Sequence, residues 1–228
     1  MGFMQTHRSF AELPLFPLKT VLFPGGYLPL QIFEVRYLDM VTRCHATQTP
    51  FAVVTLTAGD EVLHSPAVQG TANPTLFHPV GTLAHIAQLE RPQPGLIWIR
   101  CTGGQRVDLS NPHPLKHGLW VALAQVRAAD PVLPIPADLL WVQRTLQRVV
   151  DTLKVQGTPE HHMPIQPPYQ WDDCAWLANR WCELLPMDLD QRQRLMTLDN
   201  PLIRLELVAD LMQQNGMDPD SAATSDGA

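Results

Sequence analysis

Apolar residues in the first half of the chain recur at every second position or in short unbroken runs, which is the pattern of β-strands. Leu13 to Phe16 is a short apolar run punctuated by prolines, and Val21 to Phe33 predicts extended chain broken at Pro24-Gly25-Gly26. Phe51 to Thr57 is rich in β-branched residues and ends at the turn signal Gly59-Asp60. Val80, Thr82, Ala84 and Ile86 alternate within Pro79 to Leu89. Leu96 to Cys101 and Gln105 to Leu109 flank Gly103-Gly104. That pair predicts a two-residue hairpin, because both central positions of such a turn need positive φ. Leu119 to Val126 is apolar on both faces and predicts a buried strand. Arg91 to Gly95 and Ser110 to Gly118 are rich in Pro, Gly and polar residues and predict loops. One helix interrupts this region, from Glu34 to about His45, with Val35, Leu38 and Val41 at helical spacing.

Pro131, Pro134 and Pro136 predict a stiff connector. After it the apolar period becomes helical. Leu139, Val142, Leu146, Val149, Val150 and Leu153 mark one face of a helix that Gly157 should end. Thr158 to Gln170 holds four prolines and predicts a long loop. Asp172 is the expected cap of a helix carrying Cys174, Leu177, Ala178, Trp181, Leu184 and Leu185, stopped by Pro186. Asp188 with Gln191 fits a capping box, and Asn200-Pro201 fits an N-cap followed by proline at the first helical position. Leu202, Leu205, Val208, Leu211 and Met212 form the last apolar stripe, closed by Asn215-Gly216. The pattern thus divides the chain into a β-rich domain over residues 1–130, a helical subdomain over 131–216 and a tail over 217–228. The tail lacks core formers and is expected to be disordered. No internal repeat is visible.

Composition sharpens this picture in three ways. Proline occurs 22 times in 228 residues, roughly double its usual share, which favours short strands, edges and loops over long helices. The net charge is −6, with lysine only at positions 19, 116 and 154, so no basic cluster offsets the repulsion of a phosphate backbone and nucleic acid is disfavoured as a partner. The four cysteines form no CxxC pair. Cys174 and Cys182 lie eight residues apart on one predicted helix, about 12 Å at ~1.5 Å rise per residue, too far for a disulfide. Buried free thiols in a reducing compartment are expected. The N-terminus MGFMQTHRSF has no apolar h-region, and no stretch approaches the ~20 apolar residues of a membrane span. A cytoplasmic location without membrane partners follows as the expectation.

Catalytic signatures are not found. No glycine precedes any lysine, which excludes a P-loop, and no G-x-S-x-G elbow occurs. Nine histidines invite a metal site. The neighbouring pair His161-His162 would point to opposite sides of an extended chain, however, and no Cys/His set has zinc spacing. Cys44 and His45 diverge by about 100° on a helix and cannot act as nucleophile and base. Catalytic, cofactor and metal residues are therefore assigned to none. Glu34, Arg36 and Tyr37 sit at a helix start, where a fold-stabilising network is the favoured role over a ligand-facing one. Of the six tryptophans, four fall in the helical half. Phe33, Tyr37, Trp98 and Trp120 are the candidate peptide-binding residues by type and placement, because aromatics dominate binding hot spots.

One stretch carries a resemblance. Leu13-Pro14-Leu15-Phe16-Pro17, Leu22-Phe23-Pro24-Gly25, Leu28-Pro29-Leu30 and Ile32-Phe33-Glu34 with Arg36-Tyr37 resemble the amino-terminal domain of the Lon protease family. Pro50-Phe51, Val53-Val54, Val80-Gly81-Thr82-Leu83-Ala84 and Gly104-Gln105-Arg106-Val107 continue it, and Glu183-Leu184-Leu185-Pro186 and Arg204-Leu205 resemble the helical extension. The resemblance spans about residues 13–212. It implies an α+β fold, a PUA-like β pseudo-barrel followed by a C-terminal helical bundle. It also implies a non-catalytic, stand-alone member that recognises exposed segments of unfolded or partly folded polypeptides, without the AAA+ motor and Ser-Lys peptidase of full Lon proteases and with no cofactor. Full-length Lon, or a second copy of the chain, is a further implied partner. A small-molecule or RNA binder of PUA-like type is the alternative.

Overall fold

The computed structural model describes residues 8–58, 76–159 and 162–217. The Gly59-Asp60 turn, His161 and the tail from residue 218 onward lie outside them. The described chain falls into two compact units, divided between Ala129 and Asp130.

The alternating runs of the first unit form β1 (Ser9–Leu18), β2 (Tyr27–Ile32), β3 (Phe51–Ala58), β4 (Leu76–Phe77), β5 (Val80–Gln93), β6 (Leu96–Pro114) and β7 (Trp120–Val126), with α1 (Val35–Thr47) between β2 and β3. β1 pairs antiparallel with β7 and parallel with β3; β3 pairs with β5, β5 with β6, and β6 with β7. Five strands thus return on themselves as a closed barrel, which leaves no bare edge in that ring. β4 adds to β3, and β2 pairs with the first part of β6. Leu13, Leu15, Ala52, Val54, Leu83, Val107, Ala122 and Ala124 come from all five ring strands and fill the interior. The neighbouring positions Phe16, Phe51, Val53 and Ala84 turn to the opposite face, where α1 covers them with Tyr37, Met40, Val41 and Cys44. Period-two alternation therefore serves two cores at once.

Three expectations need correction here. Gly103-Gly104 is not a hairpin: both residues lie inside the continuous β6, and the reversal is at Pro94-Gly95, bracketed by the Gln93–Leu96 pair, with Gly95 at φ +78°. Gly103 is small for another reason. Its amide donates to the Gly26 carbonyl and its carbonyl accepts from the Gly25 amide, each at 2.8 Å. A Cβ there would stand 2.1 Å from the Phe23 oxygen. The predicted loops 91–95 and 110–118 are largely strand, because β5 runs on to Gln93 and β6 to Pro114. On α1 the buried stripe is Tyr37, Met40, Val41 and Cys44, whereas Val35 is 73% exposed.

The second unit carries α2 (Leu140–Val155), α3 (Cys174–Leu184), α4 (Leu189–Thr197) and α5 (Pro201–Gln214). Pro134 bridges to Asp173, and Leu133 accepts the Cys174 amide, so the proline segment is held within this unit. The cap of α3 is Asp173 rather than Asp172: its carboxylate accepts from the amides of Ala175 and Trp176. The capping box at Asp188–Gln191 and the Asn200-Pro201 start form as the sequence predicts. Trp181 donates its indole N–H to the Val142 carbonyl at 3.1 Å, joining α3 to α2. Arg204, fully buried, donates to Asp130 at 2.7 Å, Asn179 at 2.9 Å and the carbonyls of Leu195 and Leu198.

Candidate functional site

Beyond the barrel ring, the outer ends of β5 and β6 continue with β2 as a three-stranded antiparallel ribbon. One face of this ribbon is core: Leu28, Leu30, Ile32, Ile97, Ile99, Cys101, Ile86 and Leu89 pack toward α1. The other face is open. Its side chains stand in cross-strand rows set by the register, Gln31–Trp98–Glu90 and Pro29–Arg100–Gln88. A register shift between Ile86 and Gln88 inserts Ala87 as an extra residue in β5. The extra residue re-aims the strand, so that Gln88 and Glu90 face the same way as Trp98 and Arg100. Together with Leu30 and Ile99, these residues line a groove of about 380 Å³.

The middle strand β6 presents Trp98 and Arg100, flanked by Gln31 and Pro29 on β2 and by Glu90 and Gln88 on β5. Trp98 is 43% exposed beside Pro29. Arg100 is half-buried and is the cation among the lining residues; Glu90, exposed at the β5 margin, is the anion. His85 pairs across from Thr102, one row further along. Burial, reinforced by the charge of Arg8, pushes its imidazole pKa down, so the neutral form prevails at pH 7. The outer edge of β2 is a weaker feature. Gly26 accepts from β6, which places the backbone groups of Leu28, Leu30 and Ile32 toward β6 and those of Tyr27, Pro29 and Gln31 outward. Pro29 has no N–H to offer there, so the edge is a poor template for another strand while the face stays open.

The four sequence candidates separate in the structure. Trp98 lies in the groove. Phe33, 57% exposed, follows the end of β2 and does not line it. Tyr37 is corrected: only 3% exposed, it stacks on Phe16 at 4.1 Å between centroids and belongs to the core. Trp120 sits half-buried, edge-on to Phe77 at 5.6 Å, against the barrel interior and away from the groove. Pro29, Gln31, Gln88, Glu90 and Arg100 were not singled out from the sequence. The signal existed in the alternation of β2 and β6, but the bulge at Ala87 hides the matching positions of β5.

The rest of the first unit offers structure rather than chemistry. Arg36 donates to the Gly118 carbonyl and pairs with Glu34, each at 2.9 Å, while its guanidinium lies 4.5 Å over the Tyr37 ring. It braces the start of α1 on the turn before β7. All four cysteines are buried and free. Burial pushes the thiols of Cys101 and Cys182 up to about 12 and raises those of Cys44 and Cys174. They remain protonated and poorly nucleophilic at neutral pH. Among the described residues no group of three or more His, Cys, Asp or Glu side chains could hold a metal ion, and no helix is long and apolar enough to cross a membrane.

The profile of the ATP-dependent protease La (LON) substrate-binding domain matches residues 12–214, which takes in the barrel, the ribbon and all five helices. The chain belongs to the Lon substrate-binding domain family. A Lon N-terminal domain protein from Xanthomonas campestris superposes with a TM-score of 0.65 at 25% identity, over 88% of this chain and 98% of that one. The N-terminal domain of the Lon protease of Mycobacterium avium complex gives a TM-score of 0.52 at 14% identity, over 90% and 98% respectively, a likeness of fold. No curated protein matches. The Lon domain here is thus an α+β protein, a PUA-like pseudo-barrel followed by a helical bundle, and a substrate-binding module by family.

Proposed function

We propose that this Lon-type domain is a non-catalytic module that holds extended segments of unfolded or partly folded polypeptide on the open face of the β2–β6–β5 ribbon, without nucleotide. The observation that carries the reading is the groove itself: an exposed tryptophan and a proline on a sheet whose far side packs toward α1, with polar side chains beside them. Exposed aromatics on rigid elements contribute most of the energy at peptide-binding surfaces. The thiols, buried and held protonated, provide no nucleophile. A phosphate-backbone partner is disfavoured, because a groove with one cation on a protein of net charge −6 cannot supply the ion release that drives such binding. Four free thiols favour a reducing compartment such as the cytoplasm.

Fluorescence anisotropy with labelled, reduced casein tests the reading. Saturable binding without ATP is expected. Trp98→Ala should weaken it about tenfold or more, as loss of an aromatic hot spot does, with an unchanged circular dichroism spectrum because the side chain lies outside the core. Binding that never saturates, or that is indifferent to Trp98→Ala, would sink the proposal. Full-length Lon and a second copy of this chain serve as further baits in a pull-down.

A further inference from the structure

We infer that Arg100 makes the groove selective, favouring extended segments in which an acidic side chain lies two residues from an apolar one. The inference rests on the polypeptide-binding reading above and names its substrate class. Trp98 and Arg100 are two positions apart on β6, on the same face. Their side chains are therefore separated along the strand by roughly 6.4–6.8 Å. An extended ligand running along β6 repeats its own side chains at that interval. An apolar residue seated against Trp98 and Pro29 then brings the residue two places away over Arg100.

The electrostatics decide which charge belongs there. The Arg100 side chain makes no hydrogen bond or ion pair with any described residue. It is half-buried between Pro29 and Gln88, so part of its hydration is already displaced and no carboxylate within the described chain compensates. A ligand carboxylate supplies that compensation, and the planar guanidinium can accept it on two N–H groups. Glu90 is the competing charge, but it stands exposed at the β5 margin. An exposed carboxylate gains little from a ligand cation. Glu90 shares the cross-strand row of Trp98 rather than that of Arg100, so the cation of the groove offers its compensation at the Arg100 end. The net charge of the protein opposes acidic ligands only at long range, and physiological salt screens it beyond about 8 Å.

The test uses the full chain and three labelled peptides in a Gly/Ser background. Each carries one phenylalanine and, two residues on, aspartate, asparagine or lysine. At physiological salt the wild type should bind in the order Asp, Asn, Lys, with Asp ahead of Asn by about three- to fivefold, the range of a partly exposed ion pair. Arg100→Gln should erase the difference between Asp and Asn while all three peptides still bind. Arg100→Glu should invert the order. An Asp preference that survives Arg100→Gln, or wild-type affinities equal for the three peptides, overturns this inference and leaves the polypeptide-binding reading standing. Failure of the wild type to bind any phenylalanine peptide, with casein also unbound, overturns both.

Discussion

Glycine 103 shows how a single position can be forced by the approach of another piece of backbone. Two 2.8 Å hydrogen bonds clamp it to the turn at Gly25-Gly26, and an added Cβ would overlap the Phe23 carbonyl at 2.1 Å. Backbone cannot rotate out of the way as a side chain can. Gly103→Ala is therefore expected to destabilise the first unit by about 3 kcal/mol, the upper end of overpacking. Gly104→Ala is the control. There the Cβ meets the His85 ring at 2.9 Å, the movable end of a partly exposed side chain, and the cost should stay under about 1 kcal/mol. Urea denaturation of the two variants measures the difference, and equal losses would refute the backbone-clamp account. The same clamp explains why the glycine pair misleads a reader of the sequence. Composition marks the place where something unusual happens but does not say whether it is a turn or a contact.

Elements were legible where local chemistry alone decides them. The capping box at Asp188, the Asn200-Pro201 start and the Gly157 stop depend on residues within one helical turn, and each forms as the sequence predicts. Strand existence was legible for the same reason, since alternation is a local pattern. What escaped depended mostly on distant partners: the run of β6 through proline-containing sequence and the bulge at Ala87 that completes the groove; the Pro94-Gly95 turn is local, but Gly103-Gly104 offers the same signal nearby. Hence Trp98 is the groove residue that residue type alone marks. The cap of α3 is instructive because two aspartates compete. Asp173 accepts two helix amides and also the amide of Leu133, while the exposed Asp172 accepts only from Gln143. Asp173→Ala should cost about 2 kcal/mol, at the high end for an N-cap because it also releases Leu133. Asp172→Ala should fall within about 0.5 kcal/mol. Thermal melting followed by helical circular dichroism distinguishes them; a larger loss at Asp172 would reverse the assignment.

At the scale of the whole molecule, each unit carries a hydrogen-bond network of its own. The barrel closes its own hydrogen-bond ring, and Arg127, near the end of the first unit, is tied back to the Arg106 carbonyl and the Asp108 carboxylate. Asp130, the first residue of the second unit, is held by Arg204 of α5. Arg204 also links the end of α4 and the middle of α3, so the helical unit converges on one buried guanidinium. Removing one member of such a buried network strips Asp130 of this cation and leaves a cavity, a loss of about 3 kcal/mol or more. If stability is partitioned between the units as the closed networks imply, Arg204→Leu should raise amide hydrogen exchange throughout α2 to α5. The amides of β1, β3 and β7, locked in the barrel, should keep wild-type protection. Exchange accelerating equally in the barrel would show that the two units open as one cooperative body. Because the groove belongs to the barrel unit, retained protection there also predicts that the Arg204→Leu protein still binds labelled casein with wild-type affinity, while Trp98→Ala does not. Binding would then depend on the barrel unit and not on the integrity of the helical one.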